Sequence, residues 1–178
     1  MEELVLKAQK GDKEAFTKLI LSIKNDLYKI AKIRTSNEED IQDIIQETMI
    51  AGYKYLRKLK EAGKFKQWII KILINNCNKY YKKKAIHNEI YDNYDIEYYK
   101  DTTYYSNNDN IEDTLNFYEI IQPLKYEERI IILLYYGEKY TTKEISKIIN
   151  VNENTIKTRL SRAKNKIKET YKGGIEIG

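Results

Sequence analysis

Hydrophobic positions along this chain recur with the 3.6-residue period of amphipathic helices. One apolar run spans 16–31 and follows Asp12, a residue type that caps helix N-termini. A second run spans 41–56 and begins after Ser36 or Asn37, with acidic residues three positions later. The pattern predicts two amphipathic helices in the first third of the chain.

A third predicted helix, residues 65–84, has a buried apolar side and a separate polar stripe. Its predicted buried side holds Phe65, Trp68, Ile69, Ile72 and Leu73. A polar stripe recurs at i, i+4, i+7 and i+11 and falls within about 60° of the helix wheel. Asparagine amides can pair with base edges and lysines attract phosphates, so this stripe is typical of a nucleic-acid contact. The stripe consists of Lys71, Asn75, Asn78 and Lys82, and we expect Lys79, Lys83 and Lys84 to add charge and Tyr80 and Tyr81 to offer faces for an unstacked base.

Near the C-terminus the pattern predicts two short helices separated by a three-residue turn. Thr141 and Glu144 have the spacing of a capping box, and the helix that they begin should end near Ile149. Val151 is the expected buried residue of the turn, and Asn152 is the expected cap of the next helix. Two helices in this arrangement, the second of them polar and basic, indicate a helix-turn-helix. A plain helical hairpin is the alternative.

The second of these helices has a narrow apolar stripe, formed by Ile156, Leu160, Ala163 and Ile167. No acid lies between Glu153 and Glu169, so the rest of its surface is polar and basic. The N-terminal part of a recognition helix enters the major groove of duplex DNA, which predicts base-edge contacts for the first group below and phosphate contacts for the second. The first group is Asn154, Thr155, Thr158 and Arg162, and the second is Lys157, Arg159 and Lys164.

Composition favours an all-α fold. The 178 residues include one Pro and seven Gly, and a third of them are charged. The longest apolar run, 130–136, is too short to span a membrane, and the charged N-terminus lacks a signal-peptide core. We therefore expect a cytoplasmic protein with no direct membrane insertion. A single His and a single Cys leave no plausible metal site or nucleophile–base pair, so we expect neither a cofactor nor an enzyme.

Charge is distributed in three blocks. Residues 1–84 carry 19 Lys and Arg against 11 Asp and Glu, residues 85–116 carry 1 against 8, and residues 117–178 carry 12 against 8. The middle block also lacks a sustained helical period, which is typical of a linker. We therefore predict two small helical domains joined by a flexible acidic linker. The predicted boundaries are 1–84 for the first domain, 85–113 for the linker, 114–172 for the helix-turn-helix domain and 173–178 for a tail.

Three motifs in this order resemble the extracytoplasmic-function (ECF) class of bacterial RNA polymerase sigma factors. The first is D-x-x-Q-E, formed by Asp43, Gln46 and Glu47; the second is W-I-x-K-I-x-x-N, which ends at Asn75; the third is T-I-K-T-R-L-x-R-A, which begins at Thr155. The similarity covers nearly the whole chain.

The resemblance implies a role for each motif. The D-x-x-Q-E residues, Asp43, Gln46 and Glu47, would bind the clamp helices of the largest subunit of core RNA polymerase. The third helix and the loop before it would open the minus-10 promoter element and hold its unpaired bases through Lys64, Trp68, Lys71, Asn75, Asn78, Lys79 and Lys82. The helix-turn-helix would bind the minus-35 element as duplex through Asn154, Thr155, Lys157, Thr158, Arg159 and Arg162.

The resemblance also implies partners: core RNA polymerase, promoter DNA and an anti-sigma factor, either membrane-anchored or not. Two alternatives stay open from the residues: an autonomous helix-turn-helix regulator and an adaptor whose basic faces bind acidic proteins; a third, an enzyme, has no catalytic residues to support it. Within the resemblance, a sigma factor of the neighbouring toxin-gene class is a further alternative. For the acidic linker, two hypotheses remain: it enters the basic RNA-exit path of the polymerase, or it is only a soluble spacer.

Overall fold

The computed structural model describes residues 1–87 and 117–171, and these residues form helices and turns without a β-strand. The chain divides into two compact units, Met1–Tyr99 and Lys100–Gly178. The all-α prediction and the two-unit organisation are therefore confirmed. The predicted linker lies almost wholly outside the described residues, as does the predicted tail, and the hypotheses about the linker stay predictions.

The N-terminal unit contains four helices. They are α1 (Glu2–Gln9), α2 (Lys13–Lys32), α3 (Glu38–Tyr55) and α4 (Phe65–His87), with 3₁₀ turns at Leu56–Lys58 and Ala62–Lys64 between the last two. The predicted caps are present, because the side chain of Asp12 accepts from the Ala15 N–H and that of Asn37 accepts from the Asp40 N–H, both at 2.9 Å.

The core of this unit lies between α2, α3 and α4. Leu19, Leu27, Ile44, Ile69 and Leu73 are among its fully buried side chains. Helices α3 and α4 approach closely at Gly52, where an added Cβ would lie only 2.6 Å from Ile69 Cδ1. Of the predicted buried side of α4, Phe65, Ile69 and Leu73 are buried, whereas Trp68 and Ile72 are only half-buried. The buried face of α4 is shifted around the helix relative to the predicted one, because Ile70, Ile74 and Cys77 are buried as well.

The C-terminal unit contains a further four helices in the described range. They are α5 (residues 117–121), α6 (Tyr126–Ile132), α7 (Thr142–Ile149) and α8 (Glu153–Tyr171), and a π turn at Leu133–Gly137 follows α6. The core is formed by the consecutive buried residues 130–134 of α6 and the π turn, packed with residues of α5, α7 and α8.

The helix-turn-helix prediction is confirmed in detail. Thr141 and Glu144 form the capping box of α7, and Asn150 ends that helix in the left-handed conformation at φ 55°, which Asn tolerates better than most residues. The Asn152 side chain accepts from the Asn154 N–H at 2.9 Å and so caps α8. Val151 is half-buried instead of buried, because the turn leaves one side of it at the surface.

Candidate nucleic-acid interface

The acidic patch predicted on α3 is exposed. Asp43, Gln46 and Glu47 project from the surface of a helix whose opposite side buries Ile44 and Thr48. These three residues line one side of an open groove of about 820 Å³ that runs between α3 and the C-terminal half of α4. The patch is thus accessible to a partner, as a docking surface requires.

Asp40, one turn before this patch, holds the end of α4 in place. It is 6% exposed. Its carboxylate accepts from the Tyr80 hydroxyl at 2.8 Å and the Tyr81 hydroxyl at 3.0 Å, and it pairs with Lys84 Nζ at 3.0 Å. Asp40, Tyr80, Tyr81 and Lys84, here called the Asp40 clamp, connect two helices over 40 to 44 positions of sequence.

The clamp shifts the protonation equilibria of its members. Burial alone would raise the pKa of the Asp40 carboxyl, but hydrogen bonds from Lys84, Tyr80 and Tyr81 outweigh it and hold that pKa below its ordinary value. The hydrogen bond to Asp40 raises the pKa of Tyr80 to about 12. Burial, ahead of the charge of Asp40, raises the pKa of Tyr81. Asp40 is therefore a carboxylate at neutral pH, surrounded by donors.

Two expectations from the sequence change because of this clamp. Lys84 was expected to supply phosphate charge, but its charge is paired with Asp40. Tyr81 was expected to offer an open ring, but it is half-buried and Arg34 lies 4.6 Å above the ring centroid. α4 turns both residues toward α3 and the end of α2, so these contacts occupy the Lys84 charge and one face of the Tyr81 ring, and their contact with nucleic acid stays a prediction.

The polar stripe predicted on α4 is largely at the surface. Asn75, Asn78 and Lys82 are exposed, and Lys71 is half-buried. The neighbouring Asn76 does not belong to the stripe: its amide donates to Thr48 Oγ1 at 3.1 Å and ties α4 to α3. Asn75 and Asn76 are adjacent in sequence and have different surroundings, as helical geometry predicts.

The start of α4 adds a lysine and an aromatic residue. Lys64, at the end of the 3₁₀ turn that precedes the helix, is exposed and pairs with Glu61 at 2.6 Å. The Trp68 ring packs against Phe65 with their centroids 6.1 Å apart, and part of the residue remains accessible. Exposed pairs of this kind contribute little to stability, so Lys64 can exchange Glu61 for another anion.

On α8, Ile156, Leu160 and Ala163 are buried and the opposite side faces outward. Ile167, the fourth residue of the predicted stripe, is half-buried. Lys164, predicted to contact a phosphate, is exposed. Among the six residues of the predicted minus-35 set, four are exposed and two are half-buried. The exposed ones are Asn154, Lys157, Thr158 and Arg162, and the half-buried ones are Thr155 and Arg159.

Glu153 connects the two helices of the helix-turn-helix. Its carboxylate accepts from the Thr142 hydroxyl at 3.0 Å and pairs with Lys157 Nζ at 2.9 Å. The hydrogen bond from Lys157, followed by that from Thr142, holds the pKa of Glu153 below its ordinary value. The sequence predicts that Lys157 contacts a phosphate, and the structure adds a carboxylate partner, Glu153.

The described residues contain no group of three or more metal-ligating acids, histidines or cysteines. Within the same ranges no helix has the length and apolar character needed to cross a bilayer. Cys77 is buried in α4, as predicted, and burial raises its pKa to about 12. A buried, protonated thiol of this kind contributes to packing of the core and is not a nucleophile.

Comparison with known proteins gives the same two-part division. The family model for sigma-70 region 2 matches residues 19–92, and the model for sigma-70 region 4 matches residues 114–167. Together they cover more than half of the chain. The chain belongs to the sigma-70 family, in its ECF class. Region 2 spans the acidic patch and the α4 stripe, and region 4 spans the helix-turn-helix.

Individual relatives agree with this assignment. RNA polymerase sigma factor SigV of Bacillus subtilis is 29% identical over 159 residues, which are 89% of this chain and 92% of that protein. The ECF sigma factor SigW of the same organism is 25% identical over 95% of both chains.

Two solved structures share the fold. One is CnrH in complex with the cytosolic domain of CnrY, with a TM-score of 0.69, 17% identity and coverage of 98% of both chains. The other is the sigma factor RpoE in complex with the anti-sigma factor NepR from Bartonella quintana, with a TM-score of 0.71, 19% identity and coverage of 90% of this chain and 98% of that one.

Proposed function

We propose that this ECF sigma factor binds core RNA polymerase and directs it to promoters, and that three surfaces divide the work. Asp43, Gln46 and Glu47 bind the polymerase. The exposed part of α4 and the turn before it engage the minus-10 element, and α8 reads the minus-35 element. The observation that carries the proposal is the presence of regions 2 and 4, in that order, with the acidic patch exposed on α3.

The residues proposed for DNA are those predicted from the sequence, with Lys157 partly neutralised by Glu153. The minus-10 set is Lys64, Trp68, Lys71, Asn75, Asn78, Lys79 and Lys82. The minus-35 set is Asn154, Thr155, Lys157, Thr158, Arg159 and Arg162.

The physical reason for using a polymerase is cooperation between weak contacts. A basic helix-turn-helix alone binds DNA mainly through phosphate contacts that salt weakens. When both units sit on one scaffold, the second contact becomes nearly intramolecular and its effective concentration rises. Opening the minus-10 element costs about 1.4 kcal/mol for each stacking step. Binding of the extruded bases near Asn75 would offset that cost.

An anti-sigma factor is the third proposed partner. In two solved structures with this fold, RpoE is in complex with the anti-sigma factor NepR, and CnrH is in complex with the cytosolic domain of CnrY. We place the protein in the cytoplasm, where core polymerase acts. The chain itself makes and breaks no bond in this proposal, so it is a specificity subunit and not an enzyme.

The test combines the chain with core polymerase and sheared genomic DNA of the source organism, and sequences the transcripts. The wild type should start transcription at a small set of sites that share two elements. Asp43→Ala/Glu47→Ala should reduce both core binding and these transcripts at least about tenfold, because two charges of the docking patch are lost.

A matched control is Glu39→Ala/Gln42→Ala, which changes exposed residues of the same helix outside the groove. It should keep core binding and transcription within about twofold of the wild type. If the wild-type chain fails to bind core polymerase, or selects duplex DNA equally well without it, the proposal is wrong and an autonomous regulator is the better reading.

A further inference from the structure

Helix α4 has a second polar face, distinct from the stripe predicted for DNA. Lys79 and Lys83 are exposed, and together with Asn76 they line the groove between α3 and α4. Asn75, Asn78 and Lys82 do not line it. At 100° per residue the centres of the two faces are about 100° apart around the helix. A ligand on one face therefore does not reach the centre of the other.

The groove has walls of opposite charge. Asp43, Gln46 and Glu47 form its acidic wall on α3, and Lys79 and Lys83 form its basic wall on α4. No charged side chain of either wall makes an ion pair with another described residue. The groove also includes Ile50, which is 55% exposed. Unpaired charges of both signs around an apolar side chain favour a partner with the complementary arrangement.

The basic wall is held firmly against α3. Asn76, at its start, bonds to Thr48, and the Asp40 clamp binds Tyr80 and Lys84 at its end. Since both ends are tied to the helix that bears the acidic wall, the two walls move as one. A preformed groove of this kind loses little conformational entropy when a partner binds.

Nucleic acid is a poor occupant of this groove. A phosphate close enough to contact Lys79 or Lys83 would share the groove with the carboxylates of the acidic wall, which repel it. A protein helix with acids on one side, bases on the other and an apolar ridge between them satisfies both walls, and helix-in-groove docking is a common mode of recognition.

We propose that Lys79 and Lys83 form the second wall of the site that docks core RNA polymerase, and that a helix of the polymerase with acidic side chains lies against them. This rests on the proposed function, in which the acidic wall binds the polymerase. It removes Lys79 from the minus-10 set, and it leaves Asn75, Asn78 and Lys82 there.

The test measures equilibrium binding and association rate of the full chain to core polymerase without DNA, at low and high salt. Lys79→Gln/Lys83→Gln should weaken binding about five- to tenfold, mostly through slower association, and should reduce the salt dependence. Lys79→Arg/Lys83→Arg keeps the charges and should bind within about twofold of the wild type. Gln and Arg both have high helix propensity, so α4 stays helical.

Lys82→Gln is the matched control, because it removes a neighbouring charge from the other face of α4. It should keep core affinity and lower promoter opening by the assembled holoenzyme.

If Lys79→Gln/Lys83→Gln keeps core affinity and loses promoter opening instead, these lysines contact DNA and the inference is wrong. If the variant keeps its affinity for core polymerase and loses affinity only for an anti-sigma factor, core polymerase is not the occupant of the groove and the inference is wrong. Loss of core binding by Asp43→Ala/Glu47→Ala alone would overturn only this inference, whereas retention of binding by that variant too would overturn the proposed docking patch.

Discussion

In the N-terminal unit, polar side chains connect helices that are far apart in sequence, whereas the helix caps of the helix-turn-helix in the C-terminal unit use polar contacts within one turn. The C-terminal unit also has a long-range contact, in which the Tyr171 hydroxyl donates to the Glu119 carbonyl at 3.0 Å. Gln9 donates to the carbonyls of Leu56 and Leu59, and Asp40 binds side chains of α4. By contrast, Thr141 pairs with Glu144, and Asn152 caps its own helix.

The difference fits the two tasks proposed for the units. A surface that holds unpaired bases must resist several kcal/mol of restacking, so it benefits from helices that cannot shift against one another. A recognition helix enters a duplex groove that is already formed, so a locally capped helix on an apolar core is enough. The variants below alter one unit at a time and leave the other as an internal reference.

The largest effect should follow from Asp40→Ala. The substitution leaves the hydroxyls of Tyr80 and Tyr81 and the ammonium of Lys84 without their shared acceptor. We expect the free energy of local unfolding of α4 to fall by about 2–3 kcal/mol, since hydrogen bonds to a charged group are involved. Hydrogen exchange measured by mass spectrometry should show faster exchange in α3 and α4 peptides and unchanged exchange in α6 to α8.

Asp40→Asn and pH provide the control. Because the pKa of Asp40 is held below its ordinary value of 3.8, its stabilising contribution is present above that value and is lost as pH falls through the folded pKa. The stability difference between wild type and Asp40→Asn should therefore be constant above about pH 5 and shrink below pH 4. A difference that is independent of pH down to full protonation would show that the charge contributes nothing.

A smaller effect is expected from Arg129→Ala in the C-terminal unit. Its guanidinium donates to the carbonyls of Leu124 and Gln122, each at 2.7 Å, and so fixes the turn between α5 and α6. Loss of these bonds should lower the stability of this unit by about 1–2 kcal/mol. The same exchange experiment should now show the change in α6 to α8 peptides, with α2 to α4 unchanged.

Arg129→Lys tests whether geometry or charge matters. A lysine supplies a point charge without the planar fork, so it should recover only part of the lost protection. Full recovery would mean that the two carbonyl contacts are not what stabilises the turn.

The features that could be predicted from the sequence are those determined within one helical turn. The caps at Asp12 and Asn37, the capping box at Thr141 and the bounds of α7 depend on residues three or four positions apart. The hydrophobic periodicity also predicted the exposed acidic patch on α3 and the buried apolar stripe of α8. Such signals are present in any short window of sequence.

The Asp40 clamp and the groove could not be predicted in this way. Nothing in the helical period of α4 shows that Tyr81 turns to a carboxylate 41 positions earlier. In the same way, Lys79 and Lys82 are equivalent in a window of the sequence, and only the packing of α4 on α3 places one of them in the groove. These features depend on which helix faces lie opposite each other.

The smallest effect should follow from Glu153→Gln. This variant tests whether Glu153 reduces the positive charge that α8 offers to DNA. The Glu153–Lys157 pair is largely exposed, so its loss should leave the stability of the C-terminal unit almost unchanged. The variant keeps an acceptor for the Thr142 hydroxyl and makes Lys157 available for a phosphate. Binding of the full chain to a short duplex of random sequence, measured against salt, should then steepen by about 0.9 in the log–log slope.

Adding Lys157→Gln to Glu153→Gln removes the released cation and should return the slope to that of the wild type. If Glu153→Gln alone leaves the slope unchanged, Lys157 already exchanges its carboxylate for phosphate without cost. In that case the Glu153–Lys157 pair does not weaken DNA binding, and all the lysines and arginines of α8 are available for phosphates. An increase in the slope, lost in the double variant, would instead show that Glu153 limits DNA binding that does not depend on sequence, so that the sequence-specific contacts of α8 carry a larger share of the binding.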